Sequence, residues 1–273
     1  MPIDQIFVVL GMAAYMLAFC ISVVQLFSDR IELLRWSTGF VWGGWLLHTA
    51  GFLVRWRATF LLGYDYFPVA NRYEAFIFFS WSVVLSWLIL KRWAPGSKIA
   101  AGMQFTAAIL IAWAGLTSAS DIHSLMPALR SNWLIFHVIT CFLAYAAFAA
   151  AAFIALCFLI SSKRSTADVA DTDKTDKLLY FSVSIGFFLL TLGILTGSAW
   201  AQQAWGRYWG WDPKEVWSLI TWAVYALFLH ARISRRWSGK RLAILAVAGF
   251  LAVLFTFLGV NYLPFLQGLH SYA

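Results

Sequence analysis

A chain of 273 residues is long enough for one or two soluble domains, yet 62% of it is hydrophobic and only 12% is charged, which excludes an ordinary soluble fold. Its 20 basic and 12 acidic residues are so unevenly placed that the gaps between them read as spans, since a helix needs about 20 apolar residues to cross a bilayer. The net charge of +8 is therefore weighed as loop charge that sets membrane orientation, and not as a nucleic-acid surface.

Eight charge-free windows follow in chain order: 5–28, 36–54, 75–90, 99–120, 131–162, 178–206, 216–231 and 242–273. Windows 75–90 and 216–231 are short and reach spanning length with their amphipathic flanks. The expectation is an all-α integral membrane protein of eight transmembrane helices with no soluble domain. The first window has no basic residue ahead of it and no A-x-A site with a soluble domain behind it, so no cleavable signal peptide is expected. Loops 28–37, 91–98, 161–177 and 231–241 together carry 14 Lys and Arg, whereas 55–74, 118–130 and 201–215 carry 6 and the termini carry none. Lys and Arg accumulate on the cytoplasmic side, so both termini are expected outside. The polar segment SSKRSTADVADTDKTDK at 161–177 reads as a cytoplasmic linker dividing helices 1 to 5 (1–160) from helices 6 to 8 (178–273). Cys20, Cys141 and Cys157 all lie in apolar windows without a C-x-x-C pair, so neither a disulfide framework nor a thiol redox centre is indicated. The scattered glycines fall in predicted helices, where small residues let membrane helices approach closely.

Six of the 16 tryptophans, Trp200, Trp205, Trp209, Trp211, Trp217 and Trp222, fall within one short stretch. An interfacial aromatic belt accounts for indole at that depth, but not for the syntax of WGRYWGWDPKEVW. Gly206 and Gly210 remove side chains beside large rings. Asp212, Pro213 and Glu215 read as N-cap, proline at the first helical position and capping-box acid, so the seventh helix starts here. A helix start favours anions, and Arg207 and Lys214 flank it. An aromatic shelf with a cationic rim suits a planar apolar ligand carrying carboxylates, such as haem. Asp212 has two open readings, contact with such a ligand or simple capping.

The segment WAQQAWGRYWGWDPKEVWSLITW from Trp200 closely resembles the WWD domain of membrane haem-handling proteins. FPVANRYEAFIFFSW from Phe67, MPALRSNWLIFHV from Met126 and GLHSY from Gly268 resemble the CcsA/ResC branch of cytochrome c biogenesis, System II. Four segments in order, spanning nearly the whole chain, make the resemblance specific. It implies a haem-handling subunit that moves ferrous haem b, as a transported substrate, to an extracytoplasmic site. There haem is attached by thioether bonds to apocytochromes c bearing C-x-x-C-H. It also implies a CcsB/ResB-type membrane subunit as partner, a separate thioredoxin-like thiol reductant, no nucleic-acid partner, and a place in a bacterial inner membrane or a thylakoid-type membrane. The WWD loop, 200–217, would hold the ring through Trp205, Trp209, Trp211, Asp212, Arg207 and Lys214.

Depth sorts the five histidines. His137 lies about six residues, roughly 9 Å, below the outer end of the fifth helix, and His270 follows Pro264 near the outer terminus, so both share a side with the Trp-rich loop. Either alone could be a helix-packing histidine. The resemblance places both at the family's external haem-iron ligands. His230, roughly 24 Å down the seventh helix, cannot share that haem. An ionisable residue inside a span is a functional hypothesis, and the resemblance implies one ligand of a second, intramembrane haem through which haem enters, the opposing ligand coming from the partner subunit. His48 sits about 9 Å off in depth and reads as a packing residue or a less favoured ligand. His123 reads as solvated; Asn71, Arg72 and Glu74 belong to the family-like segment at the start of the third helix, where capping and loop ordering account for the residue types and their role stays open. Two rival functions stay open: a CcmC-like exporter delivering haem to a separate lyase, and an electron-transfer cytochrome b.

Overall fold

The apolar windows become eight helices in the computed structural model, which describes residues 1–28, 30–64, 66–93, 97–126, 130–161, 169–260, 263 and 268–269. They are α1 Ile3–Gln25, α2 Ile31–Leu61, α3 Arg72–Leu90, α4 Ser97–Thr117, α5 Asn132–Ser161, α6 Val169–Trp205, α7 Pro213–Ile233 and α8 Lys240–Leu254, the last running into a π-helical turn, Phe255–Gly259. No strand occurs among the described residues. Among the described residues, seven helices are long and apolar enough to cross a membrane. The exception, α2, has the length, but its WSTGFVWGGWLLHTAG stretch is diluted by glycine, tryptophan and His48. Helix α6 begins inside the segment read as linker: from Val169 the chain is helical, and Asp173 pairs with Lys177 one turn on at 2.6 Å. The helices form two compact units, Met1–Arg130 and Ser131–Ala273.

In the first unit α1 packs on α2 and α4, and α3 packs on α4 and α2. The α1–α2 approach depends on glycine: a Cβ at Gly44 would fall 2.8 Å from the Tyr15 ring, and one at Gly51 would fall 2.9 Å from Val8. Three buried polar side chains pair across helices. Ser22 Oγ donates to Gln104 Oε1 at 3.0 Å, and Gln104 Nε2 donates to Ser37 Oγ at 3.0 Å. Helix α3 starts as its sequence predicts: Asn71 accepts from the Glu74 N–H at 2.8 Å, while Glu74 Oε2 accepts from Ala70 N–H at 2.9 Å. Glu74 also does what the sequence did not suggest. Arg55, 1% exposed, donates through Nε to Glu74 Oε1 at 2.9 Å and through Nη1 to Asp4 Oδ2 at 3.1 Å and to the Ser120 carbonyl at 2.9 Å. One guanidinium thus ties α1, α2, α3 and the chain beyond α4. Tyr66, in the loop after α2, has its phenol pushed up to about 12, by burial first and by the Glu74 charge second. His48 is fully buried in this unit, with Nδ1 3.4 Å from Tyr15 Oη.

In the second unit α5 packs on α6 and α8, and α7 packs on α6 and α8. Its centre is a stacked pair, Phe148 of α5 on Tyr225 of α7, with centroids 3.6 Å apart and planes within 5°. Glycines of the other two helices bracket it: a Cβ at Gly186 of α6 would fall 2.5 Å from the Phe148 ring, and one at Gly249 of α8 would fall 2.6 Å from the Tyr225 ring. The α6 glycines continue in register along α5. Gly186, Gly193 and Gly197 face Phe148, Cys141 and His137 in turn, the order of an antiparallel pair. At the opposite end of α7, Asp176 accepts from the Gly239 N–H at 2.9 Å and lies 3.8 Å from Arg232, anchoring the start of α8.

Candidate functional site

Helix α6 stops at Trp205 because Gly206 takes a left-handed conformation, φ 73°, and its N–H closes on the Gln202 carbonyl at 3.0 Å. The loop that follows is held by side chains that bond to its backbone. Ser198 Oγ donates to the Tyr208 carbonyl at 2.9 Å, and Glu215 Oε2 accepts from the N–H groups of Gly210 at 2.8 Å and Asp212 at 3.1 Å. The Arg207 guanidinium lies against Gly210, where a Cβ would fall 2.7 Å from Nε. Trp211 carries φ 58°, a left-handed conformation costly for a residue with a Cβ, and exposes 70% of its surface.

Asp212 then caps α7, with Pro213 in the first turn and Glu215 completing the capping box. Its two carboxylate oxygens divide the work. Oδ2 accepts from the Lys214 N–H at 3.1 Å, and Oδ1 accepts from the Leu269 N–H at 2.6 Å. A side chain at Gly268 would collide with the Asp212 carboxylate. The capping carboxylate therefore also ties chain positions 268–269 to the start of α7. His270, the next residue, lies outside the described residues.

His137, one turn inside α5, is half-buried against α6. Its Nδ1 is 2.7 Å from the Gly193 carbonyl. A carbonyl only accepts, so Nδ1 carries a proton, and in the neutral tautomer the lone pair lies on Nε2. The ring stacks on Trp200, with centroids 6.2 Å apart and planes within 17°, and Trp200 meets Trp205 edge-on at 4.8 Å. Helix packing thus holds this imidazole in one orientation against the last turns of α6.

The six clustered tryptophans separate into two sets. Trp200 is buried, Trp217 packs on Phe255 with centroids 4.0 Å apart, and Trp222 Nε1 donates to Thr191 Oγ1 at 2.9 Å, so these three hold helices together. Trp205, Trp209 and Trp211 remain at the end of α6 and in the loop, Trp209 and Trp211 meeting edge-on at 5.8 Å. Arg207 is exposed in this loop and Lys214 is half-buried in the first turn of α7, giving the loop its cationic side chains. His230 lies in the last turn of α7, 18 positions beyond the cap and so about 27 Å along the axis, exposed one turn past exposed Leu227. His48 belongs to the other unit. Sequence reasoning missed the partners of His137. The G-x-x-x-G spacing of Gly193 and Gly197 was visible, but only the helix register shows what fits it.

Comparisons place the chain among known proteins. The family model for the Cytochrome C assembly protein family matches residues 69–270. The "Cytochrome c biogenesis protein CcsA" of Synechococcus sp. (strain CC9605) is 35% identical over 259 residues, covering 83% of each chain. The protein of the same name from Prochlorococcus marinus (strain MIT 9312) is 38% identical over 258 residues, covering 83% of this chain and 81% of the relative. A solved structure titled "Cytochrome c Heme Lyase CcmF" shares the fold, with a TM-score of 0.73 and 20% identity over 94% of this chain. This chain spans 46% of that longer protein. The fold is that of a multi-pass, all-helical membrane protein with a tryptophan-rich loop between two of its helices. The chain belongs to the cytochrome c assembly protein family, as a CcsA-type member with a role in cytochrome c maturation.

Proposed function

We propose that the chain is the haem-handling subunit of a membrane cytochrome c synthase, spanning the membrane eight times with both termini and the 200–217 loop on the extracytoplasmic side. The basic excess in alternate loops supports that orientation. Haem is the transported substrate. His137 and His270 hold its iron axially at the outer site. Trp205, Trp209 and Trp211 offer apolar faces to the macrocycle, and Arg207 and Lys214 offer positive charge to its propionates. Asp212 acts by holding the loop and the segment leading to His270. One observation supports the reading: Nδ1 of His137 lies 2.7 Å from the Gly193 carbonyl, a bond that leaves Nε2 as the nitrogen that would bind iron.

In the reaction each acceptor thiol adds across a haem vinyl group. Sulfur bonds to the vinyl carbon next to the ring, and a proton ends on the terminal carbon, so the addition itself consumes no oxidant or reductant. The acceptor histidine takes over one axial position. No side chain of this chain acts as nucleophile or general acid. Its contribution is proximity and orientation, an effect that reaches about 7–11 kcal/mol in well-oriented systems. The separate thioredoxin-like reductant keeps the acceptor thiols reduced. His230, exposed at the far end of α7, is one ligand of an inner haem shared with a CcsB/ResB-type subunit.

The test is co-expression with and without a ResB-type partner and a C-x-x-C-H apocytochrome, reading covalent haem on the acceptor and the absorption spectrum of the purified complex. His137→Ala is expected to abolish attachment and the outer haem's part of the spectrum, with imidazole restoring that part, and His230→Ala is expected to lower haem at the outer site. Unaltered spectra and attachment in His137→Ala overturn the assignment. Haem that accumulates at the outer site in the complete wild-type system without thioether formation identifies an exporter.

A further inference from the structure

We infer that Gly197, acting with the Gly193 carbonyl, is the positioning residue that holds His137 as an iron ligand. The inference rests on the proposed role of His137, and it assigns a role to a position without any functional group. Gly193 and Gly197 lie one turn apart on α6 and face α5 at Cys141 and His137. A Cβ at Gly197 would fall 2.5 Å from His137 Nδ1, 2.7 Å from Cε1 and 3.2 Å from Cγ. The imidazole therefore rests on the bare Cα of Gly197. Only from there does Nδ1 reach the Gly193 carbonyl at 2.7 Å while the ring lies along Trp200. The hydrogen bond fixes the tautomer, the glycine fixes the depth of the ring, and the indole fixes its tilt.

Gly193 serves a second purpose. A Cβ there would fall 2.5 Å from Cys141 Sγ, so its bare Cα seats the thiol one turn below the imidazole and lets the two backbones approach. Helix packing alone would be satisfied by small residues in general. The collision of a Gly197 Cβ with three atoms of one aromatic ring is a narrower requirement. Normal contact is about 3.5 Å, so alanine at 197 must push the ring back by about 1 Å. That displacement breaks the bond to Gly193 and misplaces Nε2. A misplacement of about 1 Å costs on the order of a hundredfold in rate where orientation is the source of catalysis.

The test uses the complex with its partner subunit and an apocytochrome, and compares Gly197→Ala, His137→Gly and the double variant. Gly197→Ala is expected to reproduce the His137→Gly phenotype: the outer haem's six-coordinate low-spin contribution to the spectrum lost, and covalent attachment lowered about a hundredfold. Should Gly197→Ala fail to accumulate, the double variant carries the test, because removing the ring makes room for the Cβ. Imidazole restores the spectrum of His137→Gly by occupying the vacated slot. In the double variant the methyl group fills that slot, and restoration is expected to need at least ten times more imidazole. Equal imidazole requirements, or a wild-type spectrum in Gly197→Ala, overturn the positioning role. A wild-type spectrum in His137→Gly instead overturns the ligand assignment itself, so the two failures are distinguishable.

Discussion

Asp212 joins two parts of the second unit through one carboxylate, so its replacement separates two contributions. Asp212→Ala removes the N-cap of α7, worth about 1 kcal/mol. It also removes the 2.6 Å bond from the Leu269 N–H to a charged acceptor, worth about 1.5–3 kcal/mol. The expected loss is about 2.5–4 kcal/mol. Asp212→Ser keeps a capping oxygen, but its shorter side chain cannot serve Lys214 and Leu269 at once. It should lose only the second part, about 2 kcal/mol, and retain the thermal stability of α7. Each 1.4 kcal/mol is tenfold in an equilibrium, so about 2 kcal/mol raises the released population of the C-terminal segment about thirtyfold. Carboxypeptidase digestion of the purified complex, followed by mass spectrometry, reads that population when opening and closing are fast relative to cleavage. Both variants are expected to be trimmed faster, with only Asp212→Ala also lowering the melting temperature beyond the shared loss. A serine variant as resistant as wild type would show that the segment is held by something other than this carboxylate.

Two other replacements test features of each unit. Arg55→Met leaves Asp4 and Glu74 buried without their cation, and breaking a buried pair in this way costs about 3–5 kcal/mol, measured as loss of melting temperature and of accumulated chain. An unchanged melting temperature would mean that the carboxylates find other partners. Trp211→Gly relieves a left-handed φ of 58° that costs an L-residue about 1–2 kcal/mol, so the fold should hold its melting temperature. The exposed ring is lost at the same time, and haem retained through purification should fall; retention equal to wild type would remove Trp211 from the haem surface.

The helix order and both capping boxes were legible because their determinants are local. Asn71 with Glu74, and Asp212 with Pro213 and Glu215, sit within one turn of the helix ends they set. Arg55 shows the limit of that reading. Counted as loop charge, it lies inside α2 and binds Asp4, 51 positions away, a pairing with no local signature. Clustering of tryptophan likewise marked the region without separating the rings that pack helices, Trp200, Trp217 and Trp222, from those of the loop. The role of Gly197 depends on the antiparallel register of α5 and α6, which sets His137 opposite it. Glycine has no side chain to announce a function, so the space it leaves becomes informative only once the neighbour is placed.

The identity of the group behind His137 bears on the proposed chemistry. A carboxylate hydrogen-bonded to Nδ1 would make the imidazole a more basic and tighter ligand, as in sites that keep their metal permanently. Here the bond to Nδ1 goes to a neutral backbone carbonyl, while the carboxylates of Asp212 and Glu215 are spent on backbone N–H groups of the loop, the helix start and the C-terminal segment. A neutral carbonyl orients the ring as a carboxylate does and adds less electron density to it. In the proposed reaction an axial ligand has to yield to the acceptor histidine once the thioethers form. A ligand oriented by a neutral acceptor meets both demands, because it positions the iron before attachment and carries no charged partner to hold it there afterwards.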